Sequence, residues 1–371
     1  MPNDTWHFPR PLLAEDYLAT FARGLTSARG LFARRRMGKT EFLEKDLMPA
    51  ARAAGYQTAY VNLWDNRENP ALALVTALYA AAEPKGVSKF LARFRRPITK
   101  VKASGEMLGV GKGALEAELG DAGKIPASTL LAEVVHVLDA KRHQILLVID
   151  EAQVLALPGN SDFAHALRST LDIRKDYIKV VFAGSSESTL RTMFGRSSEP
   201  FYNWAALEAF QLLDQSFVEA MVDKVNLLSR FPLAREEAFS AFKALNDTPE
   251  FFRRYLERYL TYAMEGSGSA LEHTKKHVFN SETFKSLWAE LLPADQLLLD
   301  MIAAGTPDLY GKVSREAIGR ELGLADVTKS TVQNSISRLS AGNIVTAVGR
   351  GGYQFEDPAF ALWVQERKQD L

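Results

Sequence analysis

The stretch Ala33-Arg34-Arg35-Arg36-Met37-Gly38-Lys39-Thr40 constrains this chain more than any other. Ala28 to Ala33 before it reads as a short strand, and Thr40 to Ala54 after it is rich in helix formers. A strand, a tight turn ending in Gly-Lys-Thr and a helix make a phosphate-binding loop. Its backbone N–H groups and helix N-terminus converge on one anion. In the pattern G-x-x-x-x-G-K-[ST] the lysine reaches the β- and γ-phosphates and the hydroxyl holds Mg²⁺, which gives those tasks to Lys39 and Thr40. Residues Ala33 to Thr40, with Glu41, are then the nucleotide-lining set. Ala33 occupies the place of the first glycine, where a turn favours positive φ. A loop bent differently is therefore expected, with Lys39 and Thr40 kept. The bland alternative is a helix start that carries Gly-Lys-Thr by chance.

A second stretch decides against chance. Gln144 to Ile149 is a continuous apolar run, the pattern of a strand buried on both faces, and it ends in Asp150-Glu151-Ala152-Gln153. An aspartate at the carboxyl end of a buried parallel strand sits where open α/β sheets bind ligands. Asp150 is the expected partner of Thr40 on Mg²⁺, and Glu151 the group that orients or polarises the attacking water. A further apolar run, Tyr177 to Ala183, ends in Gly184-Ser185-Ser186. Ser185 and Ser186 are expected to reach the γ-phosphate or its water, or to cap the helix that follows.

Composition sets the class. The 371 residues predict two or three domains, and 47% hydrophobic content is ample for a core. Forty-five basic residues balance 45 acidic ones, so no global field draws the chain to nucleic acid or lipid. Cysteine is absent, which excludes disulfides and thiolate-bound zinc. The N-terminus lacks a secretory pattern and no apolar window is long enough for a membrane span, so a cytoplasmic protein is expected.

In order, the chain reads as an α/β nucleotide-binding core over residues 1–206, helices over 207–282, and a last unit over 283–371. Within the core, 84–125 reads as an inserted basic hairpin, with Phe90 to Arg96 and Lys100 to Lys102 as its basic face. The hairpin would contact DNA or a partner subunit, or merely be a solvated charged surface. The last unit reads as helices over Phe284–Ala304, Ser314–Leu322 and Lys329–Ala341, then a hairpin over Ile344–Phe355, the order of a winged helix-turn-helix. Lys329, Ser330, Gln333, Asn334 and Arg338 would face duplex DNA from the third helix, with Arg350 at the hairpin tip.

This order of parts resembles the archaeal-type STAND branch of the AAA+ ATPases, relatives of the origin-recognition ATPases. The likeness rests on ARRRMGKT, LLVIDEAQ, VVFAGSS with Leu190 and Arg191 following, and the helices leading to the winged unit. It implies a P-loop, AAA+-like parallel five-stranded sheet between helices in the order 5-1-4-3-2, followed by a helical lid and a winged helix-turn-helix domain. It also implies ATP and Mg²⁺ as ligands and slow hydrolysis. The nucleotide-dependent state would be a homo-oligomer or a complex with a protein partner. A Gly-x-Pro element of the lid meets adenine in that family. Its proline maps to Pro249, with Asn246 and Asp247 in the glycine places. An arginine supplied from a neighbouring subunit would complete the site, with Arg174, Arg191 and Arg196 as candidates. Two other readings share these motifs. One is a transposition-helper-like ATPase that uses the basic hairpin on DNA. The other is a DNA-binding adaptor that holds nucleotide without turning it over.

Overall fold

The computed structural model describes residues 4–66, 69–87, 102–103, 127–278, 281–324, 327–348 and 352–367. Helix α1 (Pro11–Ala22) leads into β1 (Ala28–Phe32). The helix after the loop, α2, runs from Lys39–Phe42 through a π-helical turn at Leu43–Leu47 into Met48–Ala53. Pro49 lies just past the π turn. It has no N–H to donate and its ring crowds a regular ladder, and widening the preceding turn accommodates both demands.

The remaining core elements are β2 (Gln57–Asn62), α3 (Pro70–Ala82), β3 (Lys102–Ala103), α4 (Ala127–Lys141), β4 (Ile145–Asp150), α5 (Ser161–Ile173), β5 (Ile178–Gly184), α6 (Glu187–Gly195) and β6 (Ala206–Ala209). The sheet order is β3-β2-β4-β5-β1-β6. Five strands are parallel and read 5-1-4-3-2 from the β6 edge, as the resemblance implies. The short β3 adds an antiparallel edge beside Ala59 and Tyr60 of β2. The rest of the expected basic hairpin lies outside the described residues.

Alternation along the central strands feeds two cores. Leu147 and Ile149 of β4 and Val180 and Phe182 of β5 pack toward α3, α4, α5 and α6. Leu146, Val148, Val181 and Ala183 pack toward α1 and α2. Every residue of β4 and β5 is buried, which explains their unbroken apolar runs. Strand β6 carries the sheet through Ala209. It is a partly exposed edge with little apolar signal, and residue-by-residue reading passed over it.

Beyond the sheet, α7 (Gln215–Leu228), α8 (Arg235–Ala244), α9 (Pro249–Thr261) and α10 (Gly266–Val278) share a third core with Trp6 and Phe8 packed against it. The last core joins α11 (Ser281–Glu290), α12 (Pro293–Ala303), α13 (Lys312–Leu322), α14 (Lys329–Ala341), β7 (Val345–Val348), β8 (Gly352–Phe355) and α15 (Pro358–Glu366). The single helix expected over 284–304 is two helices. Pro293 takes the first helical position of α12, where its missing N–H costs nothing, and that ends α11.

Candidate nucleotide site

The loop between β1 and α2 achieves its turn without asking anything unusual of Ala33. Left-handed backbone falls instead on Arg36 (φ 69°) and Gly38 (φ 81°). Ala33 extends β1, its N–H donating to the Gly184 carbonyl at 3.3 Å, so alanine costs no strain where the pattern has glycine. The different bend expected at Ala33 is therefore a shift of the left-handed positions further along the loop. Met37 is buried as an anchor beneath it.

Lys39, Thr40, Asp150 and Glu151 converge below this loop. Thr40 Oγ1 donates to Asp150 Oδ2 at 2.7 Å, and Lys39 Nζ lies 3.5 Å from Asp150 Oδ1 and 3.7 Å from Glu151 Oε1. Asp150 is 0% exposed and Lys39 6%, so each charge depends on the other for compensation. Tyr60 donates its hydroxyl to Asp150 Oδ2 at 3.0 Å and the Glu151 N–H donates to Oδ1 at 2.9 Å. Burial, and then the neighbouring Asp150 charge, push the Tyr60 phenol far up, so it stays a proton donor to this carboxylate. A carboxylate and a hydroxyl are hard oxygen donors of the kind Mg²⁺ takes, and the pair Thr40–Asp150 fits that ion.

Glu151 begins the turn after β4 with left-handed backbone, φ 53°. Its Oε2 accepts from Ser185 Oγ at 2.8 Å and from Gln153 Nε2. The two serines therefore diverge. Ser185 faces the acidic strand, whereas Ser186 caps α6 by accepting from the Thr189 N–H and reaches Asn343 Oδ1 at 3.2 Å.

A cleft of about 800 Å³ opens over the loop, a size that suits a nucleotide. Arg34, Arg35, Arg36 and Lys39 form one wall, and Pro249, Arg253, Arg254, Leu256 and Leu260 of α9 the other. Trp6 closes one side. Neither Trp6 nor the α9 pair Arg253–Arg254 was singled out from sequence. The pair follows Pro249 at helical spacing, which was a usable signal, while Trp6 had none. Asp4 locks this end, pairing with Lys45 at 2.6 Å and with Arg253 at 3.1 Å. The hydrogen bond from Lys45 in particular holds the Asp4 carboxyl far below the usual carboxylate range. Asn246 and Asp247, in the glycine places before Pro249, adopt φ of 55° and 50°. They keep the glycine backbone with side chains that tolerate it.

No protein-family model and no curated protein matches this sequence. Solved structures do. A Walker-type ATPase of Pyrococcus abyssi superposes with a TM-score of 0.62 at 16% identity, covering 96% of this chain and 95% of that one. The ORC2 protein of Aeropyrum pernix, solved as ADPNP–ADP complexes, gives 0.53 at 14% identity over 97% and 93%. This chain shares its fold with these two proteins.

Within that ORC-like fold the remaining expected residues sort by their neighbours. Arg174 is buried, and its guanidinium is bound by Asp139 at 2.8 and 2.6 Å, so it belongs to the core and cannot reach another subunit. Arg191 pairs with Glu187 one turn back along α6, and Arg196 follows at the end of that helix. On α14, Val332, Ser335, Ile336 and Leu339 face the core, and Lys329, Ser330 and Asn334 are exposed. Gln333 accepts from the Tyr310 hydroxyl at 3.1 Å. Arg338 is held by Asp295 at 2.7 Å, a structural ion pair rather than a free reading group. Arg350 lies outside the described residues. No described helix is long and apolar enough to cross a membrane.

Proposed function

We propose that this chain binds ATP with Mg²⁺ and hydrolyses it slowly, as a switch whose nucleotide state governs association. One observation carries the reading: Lys39, Thr40 and Asp150 meet at the floor of a cleft walled by the arginine loop and α9. The left-handed Gly38 begins α2 at that cleft, so backbone N–H groups and the helix N-terminus would serve an anion bound there. Lys39 adds the point charge for the β- and γ-phosphates. Thr40 and Asp150 hold Mg²⁺, which when bound neutralises phosphate charge. Glu151 accepts the proton of the attacking water, with Ser185 beside it. Pro249, Leu256, Leu260 and Trp6 are the apolar lining of the cleft, against which a base would pack.

Slow turnover is what the family likeness implies for a chain that holds its nucleotide without an arginine from a neighbour. A neighbouring copy supplying Arg191 or Arg196 would raise the rate. The winged-helix reading of 283–371 makes duplex DNA the second partner, through Lys329, Ser330 and Asn334 on the exposed face of α14.

Titration calorimetry with ATP, ADP and Mg²⁺ tests the central claim. Binding should be measurable in the parent and lost in Lys39→Ala, and equal affinity in the two proteins would overturn the assignment. Light scattering with ATP, ADP and duplex DNA then reads association. Tight nucleotide binding without turnover would favour the adaptor reading instead.

A further inference from the structure

Gln153 belongs to none of the groups assigned so far, yet its side chain lies inside the acidic turn. Its Nε2 donates to Glu151 Oε2 and lies 3.2 Å from Ser185 Oγ, while Ser185 Oγ donates to the same Glu151 oxygen at 2.8 Å. The three side chains close a ring between the ends of β4 and β5. The other end of the amide is the informative part. Gln153 Oε1 is buried with no hydrogen-bond partner among the described residues. Turning the amide over would set that oxygen against the Glu151 carboxylate, so the orientation is dictated by the charge it serves. An orphaned buried carbonyl is unfavourable and persists only where the partner end is needed.

The neighbouring strand makes room for it. A Cβ on Gly184 would overlap Gln153 Oε1 and lie 2.9 Å from Leu190 Cδ1. Gly184 has no left-handed backbone that would itself call for glycine. Its missing side chain is the space in which the Gln153 amide lies.

We infer that Gln153, seated against Gly184, is a positioning residue that fixes which oxygen of Glu151 faces the phosphate side of the cleft. With Oε2 occupied by Gln153 and Ser185, the oxygen left toward the loop is Oε1, the one 3.7 Å from Lys39 Nζ. In this role Gln153 acts only through Glu151. The inference rests on the ATPase reading for its consequence, though not for its geometry.

The test uses the full chain and two variants that reach the same contact from opposite sides. Gln153→Met keeps the volume and removes the donor; Gly184→Ala keeps the donor and takes its space. A crystal structure of nucleotide-free Gln153→Met should show the Glu151 carboxylate displaced by more than about 0.5 Å or split between rotamers, the tolerance within which such a group must be held. An unmoved carboxylate overturns the inference whether or not the protein is an ATPase. Steady-state hydrolysis should show kcat lowered on the order of 10-fold in each variant with KM within about twofold, as expected for misplaced geometry. The double variant should be no slower than the worse single one, because both remove one contact. A parent that binds ATP and never turns it over refutes the ATPase reading alone. A parent that turns over, with kcat unchanged in both variants, refutes the role of Gln153.

Discussion

Ser186 Oγ donates to Asn343 Oδ1 at 3.2 Å, tying the end of β5 to the turn that leads into β7. The last unit of the chain is thereby fastened beside the candidate phosphate site. Asn343 is also left-handed, φ 52°, a conformation that asparagine and glycine accept and alanine resists. Asn343→Gly keeps the backbone and loses the bond, and should cost about 1 kcal/mol. Asn343→Ala should lose a further ~1–2 kcal/mol through strain. Chemical denaturation checks the order; equal stability of the two variants would contradict it.

The loop makes a paired prediction. Gly38 sits at φ 81° with nothing near a prospective Cβ, so Gly38→Ala meets strain and no clash. A loss of ~1–2 kcal/mol is expected, with weakened nucleotide binding as the N-terminus of α2 shifts. Ala33→Gly, at a position with ordinary backbone, should leave nucleotide affinity within about twofold and cost at most ~1 kcal/mol of chain entropy. Calorimetry on both variants separates the positions. An Ala33→Gly protein that gained most of the affinity would mean the first-glycine position still governs the turn.

Glu151→Gln keeps size and hydrogen bonding and removes the base that the proposed function assigns to this position. ATP should bind with parental affinity while turnover falls by ~10²–10⁴-fold. Hydrolysis at the parental rate would assign the base elsewhere.

Two residues of α14 should part company. Arg338 neutralises Asp295, which is 3% exposed, so Arg338→Ala strands a buried carboxylate and should cost ~1–3 kcal/mol in thermal or chemical unfolding. Lys329 is exposed, and Lys329→Ala should leave unfolding within about 0.5 kcal/mol. If the last unit binds duplex DNA as proposed, Lys329→Ala should also reduce the salt slope by roughly one unit, uniformly across sequences. A stability loss in Lys329→Ala to match that in Arg338→Ala would contradict this division.

Glu356 follows β8, is 5% exposed, and has an Oε1 with no hydrogen-bond partner among the described residues. Burial, and then the nearby Glu187 charge, push its carboxyl up to about 7, against the opposing pull of the Thr346 hydroxyl and, more weakly, Arg35 and Lys39. Folding therefore takes up a proton between the unfolded value of 4.5 and about 7. Across that window stability should fall as pH rises, because the native state binds the proton more tightly than the unfolded chain. Below 4.5 the penalty vanishes, and above about 7 it is complete. Glu356→Gln should stabilise the protein at pH 8 by up to ~3 kcal/mol and flatten its stability between these limits. Urea melts at pH 5 and pH 8 decide it. An unchanged pH slope would show that another group carries it.

Much of the architecture was legible because it is written in local chemistry. The unbroken runs Ile145–Ile149 and Ile178–Ala183 reflect burial on both faces, and a central parallel strand cannot hide that signature. Gly-Lys-Thr at a strand–helix junction and an acidic pair at a strand end are likewise constraints carried by adjacent residues. The order 5-1-4-3-2 came only with the family likeness, since pairing partners are not encoded in any one segment. The edge strand β6 and the break at Pro293 escaped because an exposed strand has little apolar pattern and a proline at a first helical position resembles a continuation.

The sequence by itself determined the phosphate loop, the acidic strand and the class of sheet between them. Tertiary structure alone decided which side chains meet there. Trp6 joins the cleft from the chain's beginning and Arg253 from α9. Asn343 reaches Ser186 from the far end of the chain, and Asp295 claims Arg338 of α14. Gln153 lies where Gly184 leaves space. The physical reason is common to all five. A polar side chain has no periodicity that announces its partner, so its role depends on the packing of distant elements that bring one to it.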